Sequence, residues 1–224
     1  FPTMKVVFYH TDDPTYSRYA ALLEASLKKC GIDYYKETIP ASDWLTAINN
    51  KAAFLLRCRE KFAGDLVYID ADAFVHRDFS QDVATWDCDI AFCHYRDYIT
   101  GREENLSGTV VLKDTPIVRD FLQLWKSKSE ADNTRWDQAT LTETVEERPS
   151  LNVFNLEYCF TYIFDNPNCN KSTAASVVEH LQASRVAKLP KSGLKRLFKR
   201  PSKKTRRTIA RTKELEKLIS NTSR

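Results

Sequence analysis

Two carboxylates separated by one small residue, Asp70-Ala71-Asp72, follow directly on the apolar run Leu66-Val67-Tyr68-Ile69. A run of strand length bounded by Gly64 and the acidic pair predicts a buried strand that ends in Asp-x-Asp at its carboxyl edge, where open α/β sheets place their ligands. Two like charges one residue apart repel each other on an ideal strand, so the pair predicts a turn that brings both carboxylates to a cation. Oxygen ligands of this kind suit Mg or Mn, with water and phosphate oxygens filling the remaining positions. The plain alternative is a turn capped by Asp70, with Asp72 solvated.

Four further stretches carry chemistry. Tyr9-His10-Thr11 closes the first apolar run, and Ser107-Gly108-Thr109 sits inside a later one. A glycine within a strand weakens it, so Gly108 predicts close approach by a ligand or another backbone. Trp136-Asp137-Gln138 lies at a helix start, where a carboxylate is favoured by the helix dipole. His180 ends the apolar stretch Val177-Val178-Glu179-His180-Leu181.

Over about residues 4 to 186 this combination resembles the glycosyltransferases of the GT-A fold; only the combination is specific. The resemblance implies an α/β architecture, a mixed Rossmann-like sheet flanked by helices. It implies that a motif like Tyr68-Ile69-Asp70-Ala71-Asp72 holds Mn or Mg against a nucleoside-diphosphate sugar, foremost a UDP-sugar, with His180 as a third ligand. Tyr9, His10 and Thr11 would then touch the nucleotide, Lys51 would reach the nucleotide or its phosphates, and Ser107 and Gly108 would border the donor sugar. Arg185 would meet the diphosphate as a bidentate donor. Asp137-Gln138 resembles the Asp-Gln pair of retaining enzymes such as glycogenin, beside the anomeric carbon, which implies retention; inversion with a carboxylate base stays open. A phage or bacterial enzyme fits the resemblance.

The elements that must position these residues follow from local signals. Met4 to His10 predicts a strand, and Asp13-Pro14 opens a helix that Gly31 closes, giving a β-α-β unit over 4–38. Ser42-Asp43-Trp44 starts a helix expected to run to Phe62, on which Lys51 and Arg57, six apart, cannot point the same way. Strands are predicted over 89–94 and 106–112, joined by a polar loop over 96–105. Asp114-Thr115-Pro116 caps a helix to about Ser129 whose Val118, Phe121, Leu122 and Trp125 share a core-facing stripe. Leu151 to Phe164 alternates as strands do, and 165–170 reads as a turn-rich loop.

The 224 residues allow one α/β core, and a hydrophobic content of 42% is ordinary for a globular chain. No run nears the roughly 18 apolar residues of a membrane span. No secretory leader is expected ahead of the first strand, and Phe1-Pro2-Thr3 reads as a remnant. The 6 cysteines contain no Cys-x-x-Cys pair, which fits reduced thiols in a cytoplasmic protein rather than zinc or a redox dithiol. The sequons at Asn105, Asn170 and Asn221 read as chance.

The net charge of +4 conceals a division. From Val186 onward there are 14 Lys and Arg against 2 Glu, a charge of +12, leaving 20 basic against 28 acidic residues, −8, in the body. This divides the chain into a catalytic domain over 4–186 and a basic amphipathic tail over 187–224. Leu194, Leu197 and Phe198, then Ile209, Leu215, Leu218 and Ile219, lie among the cations at helical spacing. The tail therefore predicts an anionic partner, lipid at the inner membrane face ahead of DNA, and the acceptor is accordingly a lipid-linked glycan or, as in resembling phage enzymes, DNA. The sugar-nucleotide site reads as complete by Arg185. Two other classes compete. Haloacid-dehalogenase-type phosphohydrolases want Asp-x-Asp on the first strand, and a non-catalytic basic binding protein leaves the acidic body unexplained.

Overall fold

The computed structural model describes residues 3–97, 99–166, 175–189 and 200–222. Strand β1 (Met4–Thr11) leads into helix α1 (Pro14–Lys29), which starts as its sequence dictates. The Asp13 carboxylate accepts from the Thr15 and Tyr16 amides, and Pro14 occupies the first helical position. Gly31, at φ +70°, ends the helix in the left-handed conformation a side chain resists.

β2 (Tyr34–Ile39), β3 (Asp65–Ile69), β5 (Ile90–Arg96), β6 (Glu103–Leu112) and β7 (Val153–Asn155) join β1 in a six-stranded sheet of order β2-β1-β3-β6-β5-β7. β1 runs parallel to β2 and β3, while β6 is antiparallel to both β3 and β5. The result is the mixed sheet the resemblance implies. β3 is buried at every position, as expected of a central strand covered on both faces.

On one face, α1 and α4 (Ser80–Thr85) cover Val6, Phe8, Val67 and Ile69. On the other, α3 (Lys51–Lys61), α5 (Pro116–Ala131) and α6 (Asp137–Glu146) cover Val7, Tyr9, Leu66 and Tyr68. Val118, Phe121, Leu122 and Trp125 form the buried stripe of α5 that their spacing predicts. A second, three-stranded sheet of β4 (Ala73–Val75), β9 (Val178–His180) and β8 (Tyr162–Ile163), with β9 in the middle, packs beside α1.

Two expectations change. The helix expected from Trp44 to Phe62 is two: α2 (Trp44–Asn49) and α3, broken at Asn50, which keeps helical dihedrals while its side chain makes no cap. Between Leu151 and Phe164 only β7 and β8 are strands, separated by a 3₁₀ turn at Tyr158–Phe160. Beyond the short α7 (Ser184–Ala187), the second half of the basic segment is helical, as its spacing predicts. α8 (Lys203–Thr222) buries Thr205, Thr208, Thr212 and Leu215, a seam of alternating three- and four-residue steps, against the body. Leu194, Leu197 and Phe198 lie outside the described residues.

Candidate active and metal-binding site

The chain leaves β3 at Ile69 and turns at once. The Asp70 amide donates to the Gly108 carbonyl (2.8 Å) and the Ala73 amide to the Asp70 carbonyl (3.1 Å), so Asp70 and Asp72 stand on the predicted turn at the carboxyl edge of β3. β4 then pairs antiparallel with β9, aligning Ala73 with His180. Asp70, Asp72 and His180 each present a ligand atom, all within 4.8 Å of one another.

The surroundings of His180 fit it to a ligand role. Its Nε2 lies 3.0 Å from Thr109 Oγ1, a bond that holds the ring and leaves Nδ1 for the other side. Burial pushes its pKa below the ordinary value and keeps the imidazole neutral, as metal ligation needs. The ring packs onto Gly108: a Cβ there would stand 3.0 Å from His180 Cε1 and 3.3 Å from both His180 Nδ1 and Asp70 Oδ2. Close approach at Gly108 is therefore by a side chain rather than by backbone.

The carboxylates fit as well. Burial first, then the charge of Asp70, pushes the Asp72 carboxyl up to about 6; a divalent ion between the two would reverse that shift. One Asp72 oxygen accepts the Ala183 amide at 2.7 Å, and its main-chain carbonyl accepts the Leu181 amide at 2.9 Å. Between those donors Gln182 adopts φ +59°, unusual for a residue with a Cβ, and so folds two successive odd-numbered amides back onto Asp72. Asp70 Oδ1 accepts the Tyr68 hydroxyl at 2.8 Å. This donor set, two carboxylates and one imidazole, suits Mn or Mg with positions left for phosphate oxygens.

Lys51 connects this cluster to Asp137. The first residue of α3 is only 2% exposed, and its ammonium stands 2.6 Å from Asp137 Oδ2, 3.2 Å from Asp70 Oδ1, and within bonding distance of Ser107 Oγ (2.9 Å) and O (3.1 Å). Ser107 Oγ donates to the same Asp137 oxygen at 2.6 Å. Burial alone would push the Lys51 pKa down, but the charges of Asp137 and Asp70 hold it above the ordinary value, so the group remains a cation. Arg57, six residues on, turns to Glu37 at the surface (2.8 Å), as the helical geometry requires.

The structure thus brings Lys51, Asp70, Asp72, Ser107, Gly108, Asp137 and His180 into one cluster. Gln138, half-buried, follows Asp137 in the first turn of α6. Tyr9 reaches the cluster's apolar floor, where its hydroxyl donates to the Ala47 carbonyl (2.7 Å) and its ring packs on Phe54 and Tyr68. His10 is held through both ring nitrogens, by Thr11 O (2.8 Å) and Thr38 Oγ1 (3.2 Å). Thr11 Oγ1 donates to Asp13 (2.6 Å). Arg185 is occupied by Asp165 at 2.7 Å, with Thr208 Oγ1 at 3.4 Å.

The sequence singles out the stretch containing Thr109 without giving that residue a role, and gives Glu179 none. The alternation of β9 sets Glu179 opposite His180, fully buried, and Arg211 of α8 binds its carboxylate through Nε (2.7 Å) and Nη2 (2.9 Å), with His76 Nε2 at 2.7 Å. Burial would raise the Glu179 pKa, but these two partners hold it below the ordinary value. A charged residue inside an apolar strand was the available signal.

The fold is that of glycosyltransferases. The structure superposes on a glycosyltransferase involved in the glycosylation of the major capsid of PBCV-1, with a TM-score of 0.66 at 14% identity, over 93% of this chain and 100% of that one. GlyE of Streptococcus pneumoniae gives 0.58 at 12% identity, over 95% of this chain and 64% of that one. An active-site variant of LgtC gives 0.54 at 13% identity, over 79% and 86% of the two chains. No family model and no curated protein sequence matches the chain.

Proposed function

We propose that the protein is a metal-dependent glycosyltransferase that moves a sugar from a nucleoside-diphosphate donor, a UDP-sugar foremost, to a glycan acceptor. The observation that carries this reading is the convergence of Asp70, Asp72 and His180 at the carboxyl edge of β3, within a fold shared with glycosyltransferases. Asp70, Asp72 and His180 Nδ1 would hold Mn or Mg, which when bound neutralises charge on the diphosphate leaving group.

The remaining work belongs to the chain's own groups. Lys51 stays protonated and ties Asp137 to Asp70, so the reaction end and the metal end of the site keep a fixed spacing. Ser107 anchors the same Asp137 oxygen, and with Gly108 it borders the space assigned to the donor sugar. Asp137 and Gln138 at the start of α6 are assigned to the reacting carbon, with retention of configuration. Such fixed charges stabilise a transition state without reorganising when it forms. Lys203, Lys204, Arg206 and Arg207 stay exposed on α8 and favour an acceptor presented on an anionic surface, lipid ahead of DNA. No helix among the described residues is long and apolar enough to cross a membrane.

The test is a panel of nucleoside-diphosphate sugars screened for Mn-dependent hydrolysis without acceptor, in the native chain and in Asp72→Asn. Hydrolysis of one donor, lost in the variant, is expected; no hydrolysis of any donor, or full activity in Asp72→Asn, would overturn the reading. Asp137→Asn should lower turnover at least about tenfold while donor affinity stays within a few-fold.

A further inference from the structure

α8 begins more than twenty residues after the last ligand, yet it touches the segment that carries the site. Its Arg211 grips the buried carboxylate of Glu179, the residue before His180. Its Leu215, fully buried, packs in one cluster with Phe74, Leu181 and Ala183. Leu181 and Ala183 supply the two amides that hold Asp72. The segment 179–183 is thus bonded on one side to Asp72 and gripped on the other by α8.

The helix itself is anchored independently of that segment. Arg18 of α1 pairs with Glu216 through Nε (2.7 Å) and Nη2 (2.8 Å), and Thr212 Oγ1 hydrogen-bonds the Tyr19 hydroxyl at 3.1 Å. α1 starts at the end of β1, so α8 is referenced to the same sheet that carries Asp70. Two of the three candidate metal ligands are therefore linked to α8 through a neighbour, His180 through the adjoining Glu179 and Asp72 through the Ala183 amide.

Building on the metal reading above, we propose that α8 is a clamp on the metal site, with Arg211 as a positioning residue that acts through Glu179 on His180, and Leu215 as one that acts through Ala183 on Asp72. The helix does more than cover apolar surface: a bidentate guanidinium fixes both the height and the rotation of β9, which a purely apolar contact leaves free to slide. The basic segment then has two functions on two faces, an inward one serving the site and an outward one carrying Lys203, Lys204, Arg206 and Arg207.

The test measures Mn affinity by titration of the whole chain without nucleotide, well below the melting temperature, and in parallel amide hydrogen exchange at Leu181 and Ala183. Asp72→Asn controls the metal reading by itself: if the native chain binds no Mn, or Asp72→Asn binds as tightly, that reading falls and the clamp with it. Given a native site that Asp72→Asn abolishes, Arg211→Met and Leu215→Ala should each weaken Mn binding about 10- to 100-fold, the range seen when groups orienting metal ligands are removed. Exchange at Ala183 should rise, and Arg211→Lys should recover part of the affinity. Because Arg211→Met leaves Glu179 buried without its cation, Arg211→Met/Glu179→Gln serves as the second variant: it should regain thermal stability but not Mn affinity. Lys213→Ala/Lys217→Ala, exposed on α8 and without an assigned role, should change neither. Native Mn affinity in both Leu215→Ala and the double variant, or affinity that returns together with stability, would overturn the clamp.

Discussion

Lys51→Met removes the cation that joins the two halves of the site, and the structure sets the size of the effect. The ammonium is almost wholly buried, and its shortest contact, 2.6 Å, is to Asp137, itself only 6% exposed. Removing one member of such a pair strands the other charge inside the protein, at a cost of about 3–5 kcal/mol. Asp70, with a side chain 37% exposed, remains solvated and adds little. For a chain of this length each kcal/mol lowers Tm by roughly 2–4 °C, so the melting point should fall by roughly 6–20 °C. Neutralising the stranded group should reverse most of this. In Lys51→Met/Asp137→Asn the Ser107 hydroxyl still has a partner, and stability should return to within about 1–2 kcal/mol of the native chain, because replacing both members of a buried pair is far less costly than breaking it. Urea unfolding of the metal-free protein at pH 7, run on both single variants and the double, gives the coupling energy directly. Additive losses, with the double variant less stable than either single one, would refute the assignment of Asp137 as the buried partner of Lys51.

Other outcomes follow from the same geometry. Thr109→Val removes the hydroxyl at His180 Nε2 and should weaken Mn binding by about 10- to 100-fold with little change in Tm, as read by metal titration alongside a melt. Gly64, at φ +80°, would place a Cβ 2.4 Å from the Thr3 carbonyl, so Gly64→Ala should cost at least about 1–3 kcal/mol in urea unfolding. Hydrogen bonds from Lys28, then Lys36, lower the Glu24 carboxyl to about 2 from its ordinary value of 4.5, so its stabilisation is fully present above pH 4.5 and is lost as pH falls toward 2. Glu24→Gln should therefore lower Tm modestly at pH 5–7, since both lysines are solvent-screened, and should match the native chain at pH 2.

The part of the site legible in the sequence was the part written locally. Asp13-Pro14, Gly31 and the run ending in Asp70-Ala71-Asp72 each carry their signal within a few residues, and the structure follows them. Lys51 was placed on the right helix, but no periodicity shows that a lysine is buried: that depends on carboxylates 19 and 86 positions away, at Asp70 and Asp137. The break at Asn50 has no proline or glycine to announce it, because the residue keeps helical dihedrals across the joint. α8 is legible as a helix from the spacing of Ile209, Leu215, Leu218 and Ile219, but its docking against the body is not, for a physical reason. Its inward seam is Thr205, Thr208, Thr212 and Leu215, three of four positions polar, while its cations dominate any reading by charge. A threonine that returns its hydroxyl to the preceding turn, as Thr212 does to the Thr208 carbonyl at 2.8 Å, satisfies its polar group within the helix and can be buried where charge-based reading expects a solvated face.

The placement of the site's parts along the chain gives its assembly a direction in time. Asp70 and Asp72 are synthesised before His180, and His180 before Arg211, so a growing chain can fold its first β-α-β unit while the acidic pair still lacks its imidazole, its amide donors and α8. At about 5–20 residues per second, the stretch from Ala183 to Thr222 takes roughly 2–8 s to emerge. During that interval every strand of the main sheet, β1 to β7, is already synthesised, and on the clamp proposal the site reaches its full Mn affinity only once α8 has docked. Ribosome-stalled chains released after residue 183 and after residue 222 should differ accordingly in Mn-protected proteolysis, and equal protection of the two would show that the site needs nothing from the final helix.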